Sequence, residues 1–239
     1  MQQIYYVISI FLESLTELKG GFVKYLLWSG LIALLLFTVL LYGIWTFSDV
    51  FGAWIAEIIP WNWAHESLLF SVVIGLMTLF ICWFVAKYLL LMALSPVLSI
   101  VSEKIEKDYK EKTKSTFSVM SSAARSIRIN LRNMIKELVV TVLLLVMSLI
   151  PGINILTFFL LFVVQSYFLG FGFMDFYLER HFTFSQTIAL VWKHKWAAIC
   201  IGSIFTFIIL IPILGVLVAP YFVTVTATKY FAQMEELEE

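Results

Sequence analysis

The sequence predicts an all-α integral membrane protein, with two long transmembrane helices, two partly penetrating helical hairpins, and surface amphipathic helices. Three observations lead there. Of the 239 residues, 62% are hydrophobic and only 13% charged, with a mean hydropathy of +0.96; an ordinary soluble domain is ~45–50% apolar and ~25% charged. A soluble fold cannot keep that much apolar surface from water, so lipid must serve as solvent. The uncharged runs are of two kinds: unbroken ones long enough to cross the bilayer, and others broken midway by Pro and Gly. Finally, one stretch between long apolar runs carries no Lys or Arg at all. The whole chain, 1–239, reads as a single membrane domain.

In chain order, residues 1–18 place Ile4, Val7, Ile8, Phe11, Leu12 and Leu15 on one helical face, with Glu13 and Glu17 on the polar side. This reads as a surface amphipathic helix. Lys19-Gly20-Gly21-Phe22-Val23-Lys24 follows as a turn, whose free N–H groups and lysines suit an anion. The first residues lack a basic n-region and the first strong apolar run begins near Tyr25, so no secretory signal peptide is expected.

Residues 25–48 are uncharged and match the ~20 residues a spanning helix needs. Residues 68–101 form the second long helix, with Pro96 as a kink point and Lys87 near an interface. Lys87 has two readings, a snorkelling cation or a pore-lining one. Between these helices, Asp49–Ser67 contains Asp49, Glu57, His65 and Glu66 but no basic residue. The positive-inside bias places it outside, with the N-terminus, 102–137, 175–195 and the C-terminus in the cytoplasm. Trp54, Trp61 and Trp63 there read as interfacial anchors.

Residues 102–137 read as a cytoplasmic extension: Glu103–Lys114 as a solvated mixed-charge stretch, then a basic helix. Arg125, Arg128, Arg132 and Lys136 recur at helical spacing, with Ile127, Leu131, Met134 and Leu138 on the opposite side. Two readings stand open for this stripe. One is adhesion to anionic headgroups, at ~1 kcal/mol per basic residue; the other is a positive mouth that concentrates an anion.

Residues 138–174, broken at Pro151-Gly152-Ile153-Asn154, and 196–228, broken at Pro212, Gly215 and Pro220, read as partly penetrating hairpins, because Leu138–Ile150 and the two arms around Pro212 to Gly215 are short for full crossing; four tilted spanning helices with tight turns stand as the alternative. Between them, Asp175–Phe184 reads as a cytoplasmic turn with local salt bridges, and Ser185 as the cap of a helix over Gln186–Lys195.

Several chemistries lack their residues. Cys82 and Cys200 lie in apolar runs and read as buried free thiols, and no Cys/His cluster points to a metal. His181 and His194 are not spaced like a zinc-protease motif, and no catalytic constellation assembles. No phosphate loop or dinucleotide fingerprint implies a cofactor, and no basic-aromatic array implies nucleic acid. The expected class is therefore not an enzyme.

The ordered set Lys19-Gly20-Gly21-Phe22-Val23-Lys24, Leu94-Ser95-Pro96-Val97-Leu98 with Glu103 and Glu106, Ile150-Pro151-Gly152-Ile153-Asn154, Met174-Asp175-Phe176-Tyr177-Leu178-Glu179-Arg180-His181, Phe184-Ser185, Ile211-Pro212 and Val218-Ala219-Pro220 resembles the CysZ sulfate-permease family. That family lies within the etoposide-induced-protein superfamily. The resemblance implies a multi-pass protein of the bacterial inner membrane that takes up sulfate for cysteine synthesis, with membrane lipids as surroundings and a homo-oligomeric assembly. It also implies an anion site at Gly20, Gly21, Phe22 and Lys24. In the family this turn typically reads Pro-Gly-Leu-Arg-Arg; here Gly20, Phe22, Val23 and Lys24 depart from it. Lysine is a point charge where arginine offers a fork, so weaker binding or a related oxyanion is expected. Arg125, Arg128 and Arg132 would draw anions to an entrance, and Glu103 would line the inner mouth. The competing expectation is a membrane-structuring scaffold of the same superfamily without transport.

Overall fold

The computed structural model describes the backbone of residues 2–16, 23–58, 68–109, 119–148, 150, 152–211 and 213–238. Side chains are described over the same ranges except at 25, 44–45, 47–58, 68–83, 108–109, 119–123 and 235–238. The described elements are helical: α1 (Gln2–Thr16), α2 (Val23–Ile58), α3 (Leu68–Tyr109), α4 (Val119–Met147), α5 (Asn154–His181), α6 (Phe184–Lys193), α7 (Lys195–Ile209) and α8 (Leu214–Glu238). Among the described residues, four segments are long and apolar enough to cross a membrane: Leu26–Gly43, Phe84–Lys107, Asn154–His181 and Leu214–Met234.

α8 is the central post. From Tyr221 to Ala232 every side chain is buried, which marks a helix surrounded on all sides. α1, α2, α3, α5 and α7 all pack on it. α1 lies along its C-terminal half: Tyr6 donates to Gln233 Oε1 at 2.8 Å and Lys229 Nζ meets Glu13 at 3.0 Å. The buried face of α1 differs from the one expected. The inward residues are Val7, Ile10 and Ser14, while Tyr5, Ile8, Leu12 and Leu15 face outward. Glu13 stays exposed, as its place on the polar side predicts, and also meets a lysine of α8. With protein on one side and an apolar exposed face on the other, the helix is apolar on both, and hydrophobic spacing alone does not choose between them.

Helix ends run past the apolar runs. α2 continues through Asp49 and Glu57, and α3 through Glu103 and Glu106 to Tyr109. The expectation of a solvated stretch over Glu103–Lys114 is corrected at Ile105 and Glu106, which are buried, while Lys104 and Lys107 are exposed and 110–114 lie outside the described residues. Pro96 sits inside α3 without ending it. Proline has no N–H for the Met92 carbonyl four residues back. The Ser95 hydroxyl donates to that carbonyl instead, at 2.8 Å. Trp61, Trp63, His65 and Glu66 lie outside the described residues, as do the side chains of Trp54 and Cys82.

Two tight turns reverse the chain. Between α4 and α5, Ile153 N–H reaches Ile150 O at 3.2 Å and Gly152 takes φ +91°, a region that costs a side chain but not glycine. The first arm is not the short 138–150 segment, because α4 begins at Val119 and joins the basic stripe to it in one helix. Between α7 and α8, Ile213 holds φ +62° and its side chain is exposed. A β-branched residue is strained there. Ile213→Gly is expected to stabilise the protein by about 1 kcal/mol, read as a raised unfolding midpoint in detergent.

Asp175–His181, expected as a turn, forms the last two turns of α5; the reversal is confined to Phe182 and Thr183. Thr183, not Ser185, caps α6: Gln186 Oε1 accepts from its N–H at 2.9 Å and its hydroxyl at 2.8 Å. α6 and α7 meet at His194 with a bend of 86°. At that corner Trp192 and Trp196 are exposed and Lys195 Nζ lies 5.0 Å from the Trp192 ring, a grouping suited to a membrane interface.

A candidate anion site and the buried polar core

The residues expected to meet an anion are placed unequally. Gly20, Gly21 and Phe22 lie outside the described residues, and Lys24 is exposed in the first turn of α2. Glu103 is half-buried and accepts from Lys107 Nζ at 2.7 Å. Arg128 is exposed with its guanidinium 4.7 Å from the Phe184 ring centre. Arg132 is half-buried, donates to Asn133 Oδ1 at 2.8 Å and lies 5.8 Å from the Phe171 ring centre.

Arg125 instead turns inward. Its guanidinium donates to Phe182 O at 2.6 Å, Thr187 Oγ1 at 2.7 Å, Glu179 O at 3.3 Å and Asp175 Oδ1 at 3.4 Å. It thereby satisfies carbonyls at the end of α5, where a cation is also favoured by the helix dipole, and joins α4 to both α5 and α6.

A second arginine organises the α3–α5 contact. Arg180 donates to Glu106 Oε2 from Nε at 3.1 Å and from Nη2 at 2.9 Å, and to Ser102 Oγ at 2.8 Å, Phe176 O at 2.6 Å and Ser99 O at 3.3 Å. These five bonds match the five N–H donors of a guanidinium. The other oxygen of Glu106 faces His181 Nε2 at 2.7 Å. Ser99, Ser102 and Glu106 share one face of α3, at steps of three and four. Ser99 Oγ also donates to Glu179 Oε1 at 2.6 Å, and Thr228 of α8 donates to Ser102 Oγ at 2.7 Å. The expectation of salt bridges around Asp175–Arg180 is met, but they are buried and reach across helices rather than staying within a turn.

Lys87 corrects an expectation more fully. It does not snorkel: only 7% of it is exposed, and its ammonium pairs with the buried Glu137 of α4. Tyr88 donates to the same carboxylate. Sequence reading missed Glu137, together with Ser126, Asn130, Asn133 and Thr141 on the same buried face of α4. The signal was present, since these polar residues recur at helical spacing beside the basic stripe. The apolar set Ile127, Leu131 and Leu138 faces outward.

The glycines show how closely the helices approach. Built on Gly170 of α5, a Cβ would lie 1.9 Å from Ala198 O; built on Gly202 of α7, 1.9 Å from Ser166 O. Small residues let two backbones touch, a contact common between membrane helices.

The ordered motifs and the membrane-length helices point to one family. No match to this chain was found among curated proteins. The family model described as Sulfate transporter CysZ/Etoposide-induced protein 2.4 matches residues 10–220, from α1 to Pro220 of α8, and the chain belongs to that family.

Proposed function

We propose that this protein is a permease or channel for sulfate or a related oxyanion, seated in the bacterial inner membrane and supplying sulfur for cysteine synthesis. The observation that carries this reading is the family match over residues 10–220, on a chain whose described residues include four helices long and apolar enough to cross a membrane. Gly20, Gly21, Phe22 and Lys24 make the first anion contact. The position of Lys24, exposed where α2 starts, supports that role. Arg125, Arg128 and Arg132 raise the local anion concentration at an entrance. Arg125 does so by its charge, since its Nη donors already serve α5 and α6. Glu103 lines the inner mouth.

Reconstituted into liposomes, the protein is expected to take up radiolabelled sulfate, with competition from selenate and none from chloride. Lys24→Ala is expected to weaken the apparent affinity about tenfold, the scale of one lost charge-assisted hydrogen bond. An unchanged concentration dependence would remove Lys24 from the site. A folded sample that passes no sulfate at any gradient or pH would favour the membrane-structuring alternative.

A further inference from the structure

α4 turns an entire polar column inward. Ser126, Asn130, Asn133, Glu137 and Thr141 are each at most 1% exposed. They share one helical face, while Ile127, Leu131, Ile135, Leu138 and Val142 look outward. Neighbours fix the two amides chemically. Arg132 can only donate, so the Asn133 atom 2.8 Å from it is the amide oxygen. The Asn133 NH2 group is left buried, and Nδ2 meets no acceptor among the described residues. Asn130 Nδ2 donates to Ser126 O at 2.9 Å and to Ser126 Oγ at 3.2 Å. That leaves Asn130 Oδ1 without a donor among the described residues. It faces α5, 3.2 Å from where a Cβ on Gly172 would stand, and the same Cβ would meet Leu91 of α3. Thr141 Oγ1 is likewise unpartnered among the described residues. One turn from Asn133, Glu137 holds Lys87 of α3.

Buried polar atoms without partners are strongly unfavourable in a low-dielectric interior, and water or a solute usually completes them. Here three occur along one face of one helix. The seam is also close to neutral, because Lys87 offsets the charge of Glu137, so it does not repel an anion. We propose that the seam between α3, α4 and α5 is an aqueous anion path, and that the Asn133 amide donates to the oxyanion passing through it. The identity of the solute rests on the permease reading above; the existence of the path does not.

The test uses full-length protein carrying Cys82→Ala and Cys200→Ala in liposomes. Asn133→Cys is treated with an anionic methanethiosulfonate reagent on both sides, with Lys136→Cys, at an exposed position, as the reactive reference. Modification of Asn133→Cys, slowed by excess sulfate, is expected. In the otherwise native chain, Asn133→Asp keeps an acceptor for Arg132 but loses both N–H donors. Its sulfate uptake is expected to fall about tenfold or more with the unfolding midpoint retained, and Asn133→Gln is expected to recover part of it. If native protein takes up sulfate but Asn133→Cys stays unmodified and Asn133→Asp transports normally, the path is overturned while the permease reading stands. If native protein passes no sulfate but Asn133→Cys is modified, the path stands and the sulfate reading falls. Should Asn133→Asp fail to fold, the labelling rate alone decides.

Discussion

Arg180→Ala is expected to destabilise the protein by about 3–5 kcal/mol, the range for removing one partner of a buried ion pair. Glu106 is fully buried and receives two of the five Arg180 hydrogen bonds. Without the guanidinium, its carboxylate keeps only His181, and Ser102 Oγ, Ser99 O and Phe176 O lose a donor together. Arg180→Lys should fall between wild type and alanine, because an ammonium has three donors and no planar fork. Pairing Arg180→Ala with Glu106→Leu should recover part of the loss, since the uncompensated charge is then gone. The measurement is the thermal unfolding midpoint in detergent, with size-exclusion profile as the check on folding. A loss below about 1 kcal/mol would place this network among contacts that the fold does not depend on.

Gly202→Leu is expected to abolish the folded protein, and Gly202→Ala to cost about 3 kcal/mol or more, at the upper end of overpacking penalties. The reason lies in what the added carbon meets. It would stand 1.9 Å from Ser166 O, 2.7 Å from Ser166 C and 2.9 Å from Gly170 N, all backbone atoms. No side-chain rotation relieves such a contact, so α5 and α7 must separate along their shared crossing. Gly43→Ala is the matched control: a Cβ there meets nothing within 4 Å. That variant should keep its stability or gain up to about 1 kcal/mol from better helix propensity. If Gly202→Ala and Gly43→Ala behave alike, the α5–α7 contact is looser than its geometry states.

Much of this protein is written locally. Apolar runs, Pro-Gly breaks and charge spacing all act over a few residues, so the membrane class, the existence of the helices and the places where the chain reverses were legible. The ordered motifs carried the family assignment for the same reason. Helix ends were less legible. Charge marks where side chains seek polar surroundings, but backbone hydrogen bonding continues past that point, as α3 shows by carrying Glu106 into its buried face. The candidate anion site was legible only as a turn with a lysine after it, and Gly20, Gly21 and Phe22 lie outside the described residues.

What the sequence determined by itself, then, was the helical membrane class and the apolar centre of each long helix. Only the tertiary structure decided which side of each helix faces in. In water the apolar side of α4 would turn inward. With lipid outside, its apolar side is free to face out while Asn130, Asn133 and Glu137 face the interior. Spacing along one helix cannot express that choice, because it depends on what lies on either side. Nor can it express pairing across the chain: Lys87 meets Glu137 from 50 residues away, and Arg180 meets Glu106 from 74. Such charges remain buried because the fold brings their partners within hydrogen-bond reach, and no local pattern records that meeting.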